Sequence, residues 1–457
     1  MTSKALSPVD GRYSNETAAL TEYFSEWALM KNRVKVEVEW LLTMSESTWA
    51  KHVRKLSQSE VAFLRNLIEC FDETSFLEIK RIEKTTNHDV KAVEYYLRSV
   101  LRETSMADVV EFIHFGCTSE DINNLSYSLM LKGGINNVWV SKAEEMLDLI
   151  TSTADEYRNI PIVSRTHGQV AAPTTMGKEL AVFVHRWQRQ LRNLKTLQFL
   201  GKFNGVVGNF NAQVIAYPDA PWEDIAKSFV ENLGLTYNPL TTQIEPHDFI
   251  AECFHGINRF NNITLNFDRD MWMYISLGYF RQRIVGEEVG SSTMPHKVNP
   301  IDFENSEANI GLSNTILSHL ADKLQVSRLQ RDLSDSSALR NVGLGIAHSC
   351  IAIHHAIVGF RGLDVDREVI DKDLSNSWEV LGEAIQTVMR KYGYTEPYET
   401  LKAFTRGKKV SEATIRRFIQ NLEIPEEDKS RLLTLTPATY LGLAPKLVDW
   451  IKLNTRR

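Results

Sequence analysis

Cysteine is scarce in this sequence and follows no pattern. The four cysteines, Cys70, Cys117, Cys253 and Cys350, lie far apart among 457 residues, and no Cys-x-x-Cys pair occurs. The sequence therefore supports neither a zinc ribbon nor a disulfide framework.

Long apolar runs are missing as well, because histidines interrupt the most apolar stretch, 344–360. We therefore expect no membrane span. The first residues contain no signal-peptide run, and the expected compartment is the cytoplasm.

A large excess of charge of either sign is also absent. The 52 lysines and arginines oppose 58 aspartates and glutamates, for a net charge of −6, so bulk attraction gives no support for nucleic-acid binding. Neither HExxH and related metal-ligand spacings nor a GxGxxG dinucleotide motif occurs. A phosphate-binding P-loop needs Gly before its lysine and Ser or Thr after it. Lys297 is flanked instead by His296 and Val298, which excludes this motif there.

Proline is missing from two long stretches, which run from Pro8 to Pro161 and from Pro300 to Pro397. Because proline interrupts helix interiors at a cost of about 3 kcal/mol, these stretches permit long helices. They do not prove them.

Hydrophobic periodicity supplies the positive indication of helices. Apolar residues recur at steps of three and four residues over 180–194 and again over 260–274, with charged residues between them. The segment 301–329 is a third candidate. No alternating strands joined by Asn-Gly or Asp-Gly hairpins occur. The fold class predicted from the sequence is therefore all-α, with a central bundle of long helices.

Three domains are predicted along the chain. An N-terminal helical domain is expected over 1–110 and a central helix-bundle domain over 111–365. A C-terminal helical domain is expected over 366–457, where Lys, Glu, Asp and proline are more frequent and the helices shorter.

Two segments present groups suited to proton transfer. The loop 286–300, GEEVGSSTMPHKVNP, combines hydroxyl, imidazole and ammonium groups. On composition alone a solvated loop is the more common explanation, but helix connections usually need only about 2–8 residues. The second segment, 164–169, reads SRTHGQ and places His167 before Gly168. A lone histidine is more often structural, yet a polar turn favours the proton-transfer role to which histidine is best suited.

Three further segments have both a structural and a functional interpretation. The sequences TTNHD at 85–89 and HFGCTSEDINN at 114–124 are typical of helix starts with capping residues. The sequence RDLSDSSALR at 331–340 holds two arginines and three serines. This combination suits the binding of a phosphate or of carboxylates, and a solvated charged face is an equally good explanation.

Taken together, these segments resemble the fumarase/aspartase superfamily. GSSTMPHKVNP is similar to the superfamily motif, in which Gly-Ser-Ser leads through Met-Pro to Lys-x-Asn-Pro. Within the superfamily, TTNHDVKAVEY, FIHFGCTSEDINN, SRTHGQ, TTQIEPHD and MPHKVNPIDFENSE resemble the adenylosuccinate lyase family in its longer bacterial branch. The similarity begins at SPVDGRY and extends into the C-terminal helices.

The resemblance implies a fold, a reaction and an assembly. The fold is three all-α domains whose central bundle assembles into a homotetramer with sites shared between subunits. The reaction is β-elimination of fumarate from adenylosuccinate, giving AMP, and from succinyl-aminoimidazole carboxamide ribotide in purine synthesis. This elimination needs a base, an acid and donors for a dianionic intermediate, and it requires no metal or redox cofactor. The implied partner is a small nucleotide.

The same resemblance assigns roles to individual residues. It implies a catalytic base at Ser291, a catalytic acid at His167 and an orienting carboxylate at Glu304. Serine is a weak base at its free pKa, so we expect the backbone amides of its loop and Lys297 to activate it. The implied substrate contacts are Arg12, Tyr13, Asn87, His88, Asp89, Thr118, Ser119, Gln243, Ser292, Lys297, Asn299, Asn305, Arg331, Ser336 and Arg340.

Two alternatives stay open at this point. One is another fumarate-releasing lyase of the superfamily, whose substrate carries no phosphate; the arginines of 331–340 argue against it. The other is a non-catalytic helical scaffold, which predicts loss of the Ser, His and Lys positions, and these are intact.

Overall fold

Helices dominate the structure, as the sequence predicted. The structure is a computed structural model that describes residues 4–283, 294, 297–405 and 410–453. Within these residues the α-helices are α1 Ser14–Phe24, α2 Glu26–Glu46, α3 Gln58–Glu69, α4 Glu73–Thr86, α5 Asp89–Arg102, α6 Ser119–Gly134, α7 Val140–Glu156, α8 Met176–Lys195, α9 Asn211–Ala216, α10 Trp222–Asn232, α11 Asp248–Ser276, α12 Ile301–Leu324, α13 Ser334–Leu339, α14 Val342–Arg361, α15 Arg367–Ser375, α16 Gly382–Lys391, α17 Pro397–Thr405, α18 Glu412–Gln420, α19 Glu426–Thr434, α20 Ala444–Leu447 and α21 Asp449–Leu453. Short 3-10 helices span Ala107–Phe112 and Trp378–Leu381, and a π-helical turn spans Ile135–Trp139.

The strands are short and form ladders of two. They are β1 Pro161–Ile162, β2 Arg165–Thr166, β3 Gln169–Val170, β4 Thr174–Thr175, β5 Leu200–Gly201, β6 Thr236–Tyr237, β7 Phe280–Gln282 and β8 Leu363–Val365. The pairs β1–β4, β2–β3 and β7–β8 are antiparallel, and β5–β6 is parallel. Sequence reasoning missed these strands, because a strand of two or three residues has no room for an alternating pattern.

The long helices agree with the predicted periodicity. Helix α8 begins three residues after Pro173, and its seam residues Leu180, Val184, Trp187 and Leu191 are buried. Helix α11 covers the second predicted segment. Helix α12 begins where predicted but ends at Leu324, five residues before the predicted limit.

The chain divides into two compact units. The first comprises Met1–Ala143, Gln190–Asn262 and Ala308–His354. Its core includes an aromatic cluster in which the ring of Trp40 lies 4.5 Å from Phe203 and 5.2 Å from Phe229. Its helices are also joined by buried polar groups: the indole N–H of Trp139 donates to Ser349 Oγ at 2.8 Å, and Ser349 donates to Asn261.

The second unit comprises Glu144–Arg189, Ile263–Glu307 and His355–Arg457. In its bundle part, the rings of Phe183 and Trp187 pack on Phe267 at 5.5 and 5.3 Å. Its C-terminal part has a hydrophobic cluster of its own, which includes Leu381, Ile385 and Ile415. Such a cluster is consistent with a separate C-terminal domain, and the three-domain division at 110 and 365 stays a prediction.

One segment, Ser334–Arg361, is long and apolar enough to cross a membrane by length and composition alone. It contains the apolar stretch 344–360 that the sequence marked, and the absence of a membrane span stays a prediction. In the structure 67% of its most apolar window is buried, which is also usual for a core helix.

Candidate active site

The first unit contains a polar cavity of about 400 Å³, a volume suited to a small molecule. Seven of the residues predicted to contact substrate line it: Asn87, His88, Asp89, Ser119, Arg331, Ser336 and Arg340. The chain brings these residues together from three separate segments. The wall also includes Arg33, Glu120 and Asn123, which the sequence did not mark.

The residues Asn87 and His88 reach this cavity because one helix ends and the next begins there. Asn87 ends α4 in the left-handed region at φ 51°, which asparagine tolerates better than most residues. His88 caps α5, where its Nδ1 accepts from the backbone N–H of Lys91 at 3.2 Å. The sequence predicted a helix start with a capping residue in this segment, and the capping residue is His88.

Asp89 lies between two arginines at the cavity wall. Its Oδ2 accepts from Arg33 Nη2 at 2.8 Å and from Arg340 Nη2 at 3.1 Å. Its Oδ1 accepts from the backbone N–H of Val90 at 2.9 Å. Burial opposes ionisation, but the charge and hydrogen bond of Arg33 prevail, and the pKa of Asp89 falls below its usual value. Asp89 is therefore an ionised, firmly held carboxylate.

Arg331 is the centre of a second polar group at the same wall. Its Nη2 donates to Ser336 Oγ at 3.0 Å and lies 2.9 Å from Glu120 Oε1. Its Nη1 donates to Gln243 Oε1 at 3.2 Å. The amide of Gln243 in turn donates to the carbonyl of Val206 at 2.8 Å. The predicted residues Arg331, Ser336 and Gln243 thus form one hydrogen-bonded set.

A fully buried ion pair supports the start of α6. Lys202 Nζ lies 2.9 Å from Asp121 Oδ1, and both side chains are inaccessible. The Asp121 carboxylate also accepts from the backbone N–H groups of Thr118, Asn204 and Gly205 at 2.8 to 3.2 Å. These bonds fix Thr118 as the N-cap of α6 and bring Ser119 to the cavity wall.

Two other predicted contacts of the first unit lie before and at the start of α1. Arg12 is exposed, with its guanidinium 5.8 Å from the ring centroid of Tyr13. Tyr13 is the N-cap residue of α1. Neither residue is among those that line the cavity.

His167 belongs to the second unit and occupies a tight turn. It follows β2, Gly168 precedes β3, and the two residues have φ of 53° and 73°. Positive φ at both central positions is the pattern of a type I′ hairpin turn. The turn exposes the imidazole at the tip of the hairpin, as expected for a side chain that meets a ligand rather than a core.

The remaining predicted residues of the second unit lie near the start of α12. Glu304 accepts from the indole N–H of Trp272 at 3.2 Å. Among the residues that the structure describes, no hydrogen bond joins Glu304 to His167, so the orienting role is not seen within one chain. Asn305 has its amide 3.0 Å from His355 Nε2. Lys297 is exposed and Asn299 is half-buried.

Ser291 and Ser292 lie outside the described residues. Most of the loop 286–300 does so too, and only Met294 and 297–300 of it are described. Within the described part of the chain, no group of three or more His, Cys, Asp or Glu side chains has a metal-binding arrangement.

Comparison with known proteins places this chain in a family. A sequence model described as lyase matches residues 11–314, and one described as adenylosuccinate lyase C-terminal matches 327–441. The curated adenylosuccinate lyase of Escherichia coli strain K12 is 51% identical over 449 residues, covering 98% of each chain. The chain belongs to the adenylosuccinate lyase family. It is a lyase, and the resemblance seen in its motifs is confirmed.

Solved structures confirm the fold of this lyase. The 3-carboxy-cis,cis-muconate lactonizing enzyme of Pseudomonas putida matches with a TM-score of 0.76 at 22% identity, covering 96% of this chain and 97% of the other. A fumarate lyase of Mesorhizobium sp. BNC1 matches with a TM-score of 0.76 at 17% identity, covering 96% and 98%. At these identities the likeness concerns the fold alone.

Sequence reasoning missed several residues of this lyase's cavity, among them Arg33, Glu120 and Asn123. Glu120 and Asn123 lie inside the quoted segment 114–124, but there they were interpreted as part of a helix start. Arg33 lies between Met30 and Val34 in α2, both fully buried. An arginine at a buried helix position was the available signal, since a buried charge requires a partner.

Proposed function

We propose that this lyase cleaves adenylosuccinate to AMP and fumarate, and succinyl-aminoimidazole carboxamide ribotide in the same way. A proton leaves the succinyl carbon next to a carboxylate, and the electron pair left on that carbon forms the fumarate double bond. The C–N bond breaks, and the leaving nitrogen receives a proton. Together the two products contain all the atoms of the substrate, so no oxidant or second substrate is needed.

Two residues carry the proton transfers in this proposal. Ser291 removes the carbon-bound proton and His167 protonates the leaving nitrogen. Histidine suits this role because its ordinary pKa lies near neutrality. The exposure of His167 at a hairpin tip supports it. Glu304 orients the imidazole, and since one chain does not join the two by a hydrogen bond, the proposed assembly must do so.

The remaining residues bind the anionic substrate. Lys297 and Asn299 take the succinyl carboxylates. The phosphate is bound by Arg331, Ser336 and Arg340, because one guanidinium group can donate two parallel hydrogen bonds to two phosphate oxygens. The other proposed contacts are Arg12, Tyr13, Asn87, His88, Asp89, Thr118, Ser119, Gln243, Ser292 and Asn305. The proposed assembly is a cytoplasmic homotetramer with shared sites, acting in purine biosynthesis.

The observation that carries this proposal is the cavity wall formed by Arg331, Ser336 and Arg340. A lyase of the superfamily acting on argininosuccinate, malate or aspartate has no phosphate to place there. Thermal-shift titration discriminates the two: AMP raises the unfolding midpoint, as any ligand of the native state does, and arginine and malate do not. A shift with arginine or malate and none with AMP would reject adenylosuccinate as substrate.

A further inference from the structure

Arg33 is an unusual residue of the cavity wall, because it is a charged side chain with only 2% of its surface exposed. Burying an unpaired charge is very costly, and Arg33 avoids this cost with three contacts. Its Nη2 donates to Asp89 at 2.8 Å, its Nε donates to Asn123 Oδ1 at 2.9 Å, and its Nη1 lies 3.5 Å from the sulfur of Met30. These contacts occupy each nitrogen of the guanidinium.

The contacts of Arg33 extend on both sides to arginines of segment 331–340. On one side Asp89 Oδ2 also accepts from Arg340 at 3.1 Å. On the other side the amide of Asn123 donates to Glu120 Oε1 at 2.8 Å, and the same oxygen lies 2.9 Å from Arg331 Nη2. One continuous network therefore joins Arg340 to Arg331 through the cavity floor.

Two cations of this network are accessible to an anion. Within the network three arginines contact two carboxylates, Asp89 and Glu120, and Arg340 Nη1 also lies 3.8 Å from Glu26, which Lys80 binds at 2.7 Å. The two cations of segment 331–340 are the more accessible ones, since 45% of the Arg340 side chain and 19% of the Arg331 side chain are exposed, against 2% for Arg33. An entering phosphate therefore meets Arg331 and Arg340 and cannot replace the contacts of Arg33.

A phosphate that binds Nη2 of Arg340 must separate this nitrogen from Asp89. Without Arg33 this exchange would leave a largely buried carboxylate with no cationic partner, which opposes binding. With Arg33 in place, Asp89 keeps its shorter ion pair throughout. When Arg331 turns to the ligand, Glu120 keeps the hydrogen bond from the amide of Asn123, which Arg33 holds in place.

We propose that Arg33 is a positioning residue that retains Asp89, and through Asn123 also Glu120, so that Arg340 and Arg331 are released to a phosphate dianion. Arg33 itself does not contact the ligand. The inference rests on the proposed function in its assignment of the phosphate to Arg331 and Arg340 and in its choice of AMP as the probe.

The test compares AMP with adenosine, which lacks the phosphate, by calorimetry on the full-length protein. In Arg33→Met the dissociation constant for AMP rises at least about tenfold, because Asp89 loses the cationic partner that it keeps when Arg340 binds the phosphate. The dissociation constant for adenosine stays unchanged, because adenosine has no phosphate to draw Arg340 away. In steady-state kinetics KM rises and kcat changes little. An equal loss for AMP and adenosine would overturn the proposal.

A double-mutant cycle tests the route of the effect. If Arg33 acts through Arg340, then Arg33→Met weakens AMP binding much less in an Arg340→Met background than in the wild type. Additive losses would show that Arg33 acts by some other route.

If Arg33→Met does not fold, Arg33→Lys replaces it in the test. Lysine keeps the positive charge beside Asp89, but its ammonium lacks the planar fork with which arginine also reaches Asn123. The expected loss of AMP affinity is therefore intermediate. Wild-type affinity in Arg33→Lys would count against the proposal.

Arg54 provides the matched control. It lies in the same unit and binds two carboxylates, Glu60 and Asp108, away from the cavity. Arg54→Met should leave AMP affinity unchanged, and a loss equal to that of Arg33→Met would indicate general destabilisation and reject the proposal.

Failure of the proposed function is a separate result, in which the wild type binds AMP or inorganic phosphate but does not cleave adenylosuccinate. A wild type that binds neither ligand would reject the inference itself.

Discussion

At the scale of single residues, His167 occupies a backbone conformation that few non-glycine residues adopt. A non-glycine residue with positive φ is uncommon, and asparagine, aspartate and histidine are the types that tolerate it best. The conformation places the imidazole at the exposed tip of the β2–β3 turn. Substitutions at His167 and Ser291 must therefore distinguish a loss of proton transfer from a loss of folding.

The first prediction concerns these two residues. His167→Asn keeps a residue that tolerates φ 53°, and Ser291→Ala removes only the hydroxyl. We expect both proteins to fold and to bind AMP, with turnover reduced by roughly 10²–10⁴ for the lost acid or base. The control is His255→Asn, which changes an exposed histidine of α11. This variant should keep full turnover. Near-normal turnover in Ser291→Ala would refute its role as base.

His114 is the second residue with a testable local effect. Its Nδ1 lies 2.6 Å from Glu37 Oε1, and the Glu37 side chain is fully buried. Burial alone would lower the pKa of His114, but the charge and hydrogen bond of Glu37, with smaller contributions from Glu94 and Asp121, prevail and raise it. The pair lies just before the Thr118 cap of α6.

The sign of the resulting pH dependence follows from this raised pKa. A histidine whose pKa is raised on folding adds stability below its unfolded pKa, about 6.5, and that contribution is lost as the pH rises through the folded value. We predict that His114→Asn lowers the thermal unfolding midpoint more at about pH 6 than at about pH 9, values on either side of this range. An equal shift at both pH values would contradict the ion pair. His255→Asn is again the control.

At the scale of elements, the long helices were predictable and the turns were not. The seam of α8 repeats apolar residues every three or four positions, and burial follows that repeat directly. The hairpin around His167 has His-Gly at its turn rather than Asn-Gly, and its strands are two residues long. The contacts of Arg33 join residues 56 and 90 positions apart, and no local pattern specifies such partners.

A glycine turn provides the prediction at this scale. Gly208 has φ 83°, and a Cβ there would lie 2.3 Å from the carbonyl oxygen of Thr241 and 2.9 Å from that of Thr242. Gly208→Ala should therefore displace the segment that carries Gln243. We expect KM for adenylosuccinate to rise by about tenfold, the change that 1.4 kcal/mol produces.

The control for this substitution has the same backbone strain without the clash. Gly234 has φ 82°, and a Cβ there would meet only the flexible Lys132 Nζ, at 3.4 Å. Gly234→Ala should lower stability slightly and leave KM unchanged. Equal KM values in the two variants would show that contact with Thr241 does not position Gln243.

At the scale of the whole molecule, the proposed homotetramer shares each site between subunits. A helix of about 30 residues spans about 45 Å, so segments at opposite ends of one bundle do not easily meet, and a symmetric oligomer can supply them from neighbouring chains. Within the first unit the sequence motifs identified most of the polar residues at the cavity. The partner subunit that would complete the site cannot be read from one chain's periodicity.

Complementation tests the shared site. Inactive His167→Asn protein is mixed with inactive Ser291→Ala protein, and the two are dissociated and reassembled. If the two residues of one site come from different chains, some sites in the hybrids receive both wild-type groups, and activity returns in part. Verified hybrids that stay inactive at every mixing ratio would assign both residues to one chain.

The central claim is that this protein eliminates fumarate from adenylosuccinate. The most direct measurement adds adenylosuccinate to the folded wild-type protein and follows the ultraviolet absorbance of the purine, which changes when the succinyl group leaves its nitrogen. We predict a change that produces AMP and fumarate in equal amounts and that Ser291→Ala slows by roughly 10²–10⁴. No change in absorbance with folded protein that binds AMP would contradict the proposed function.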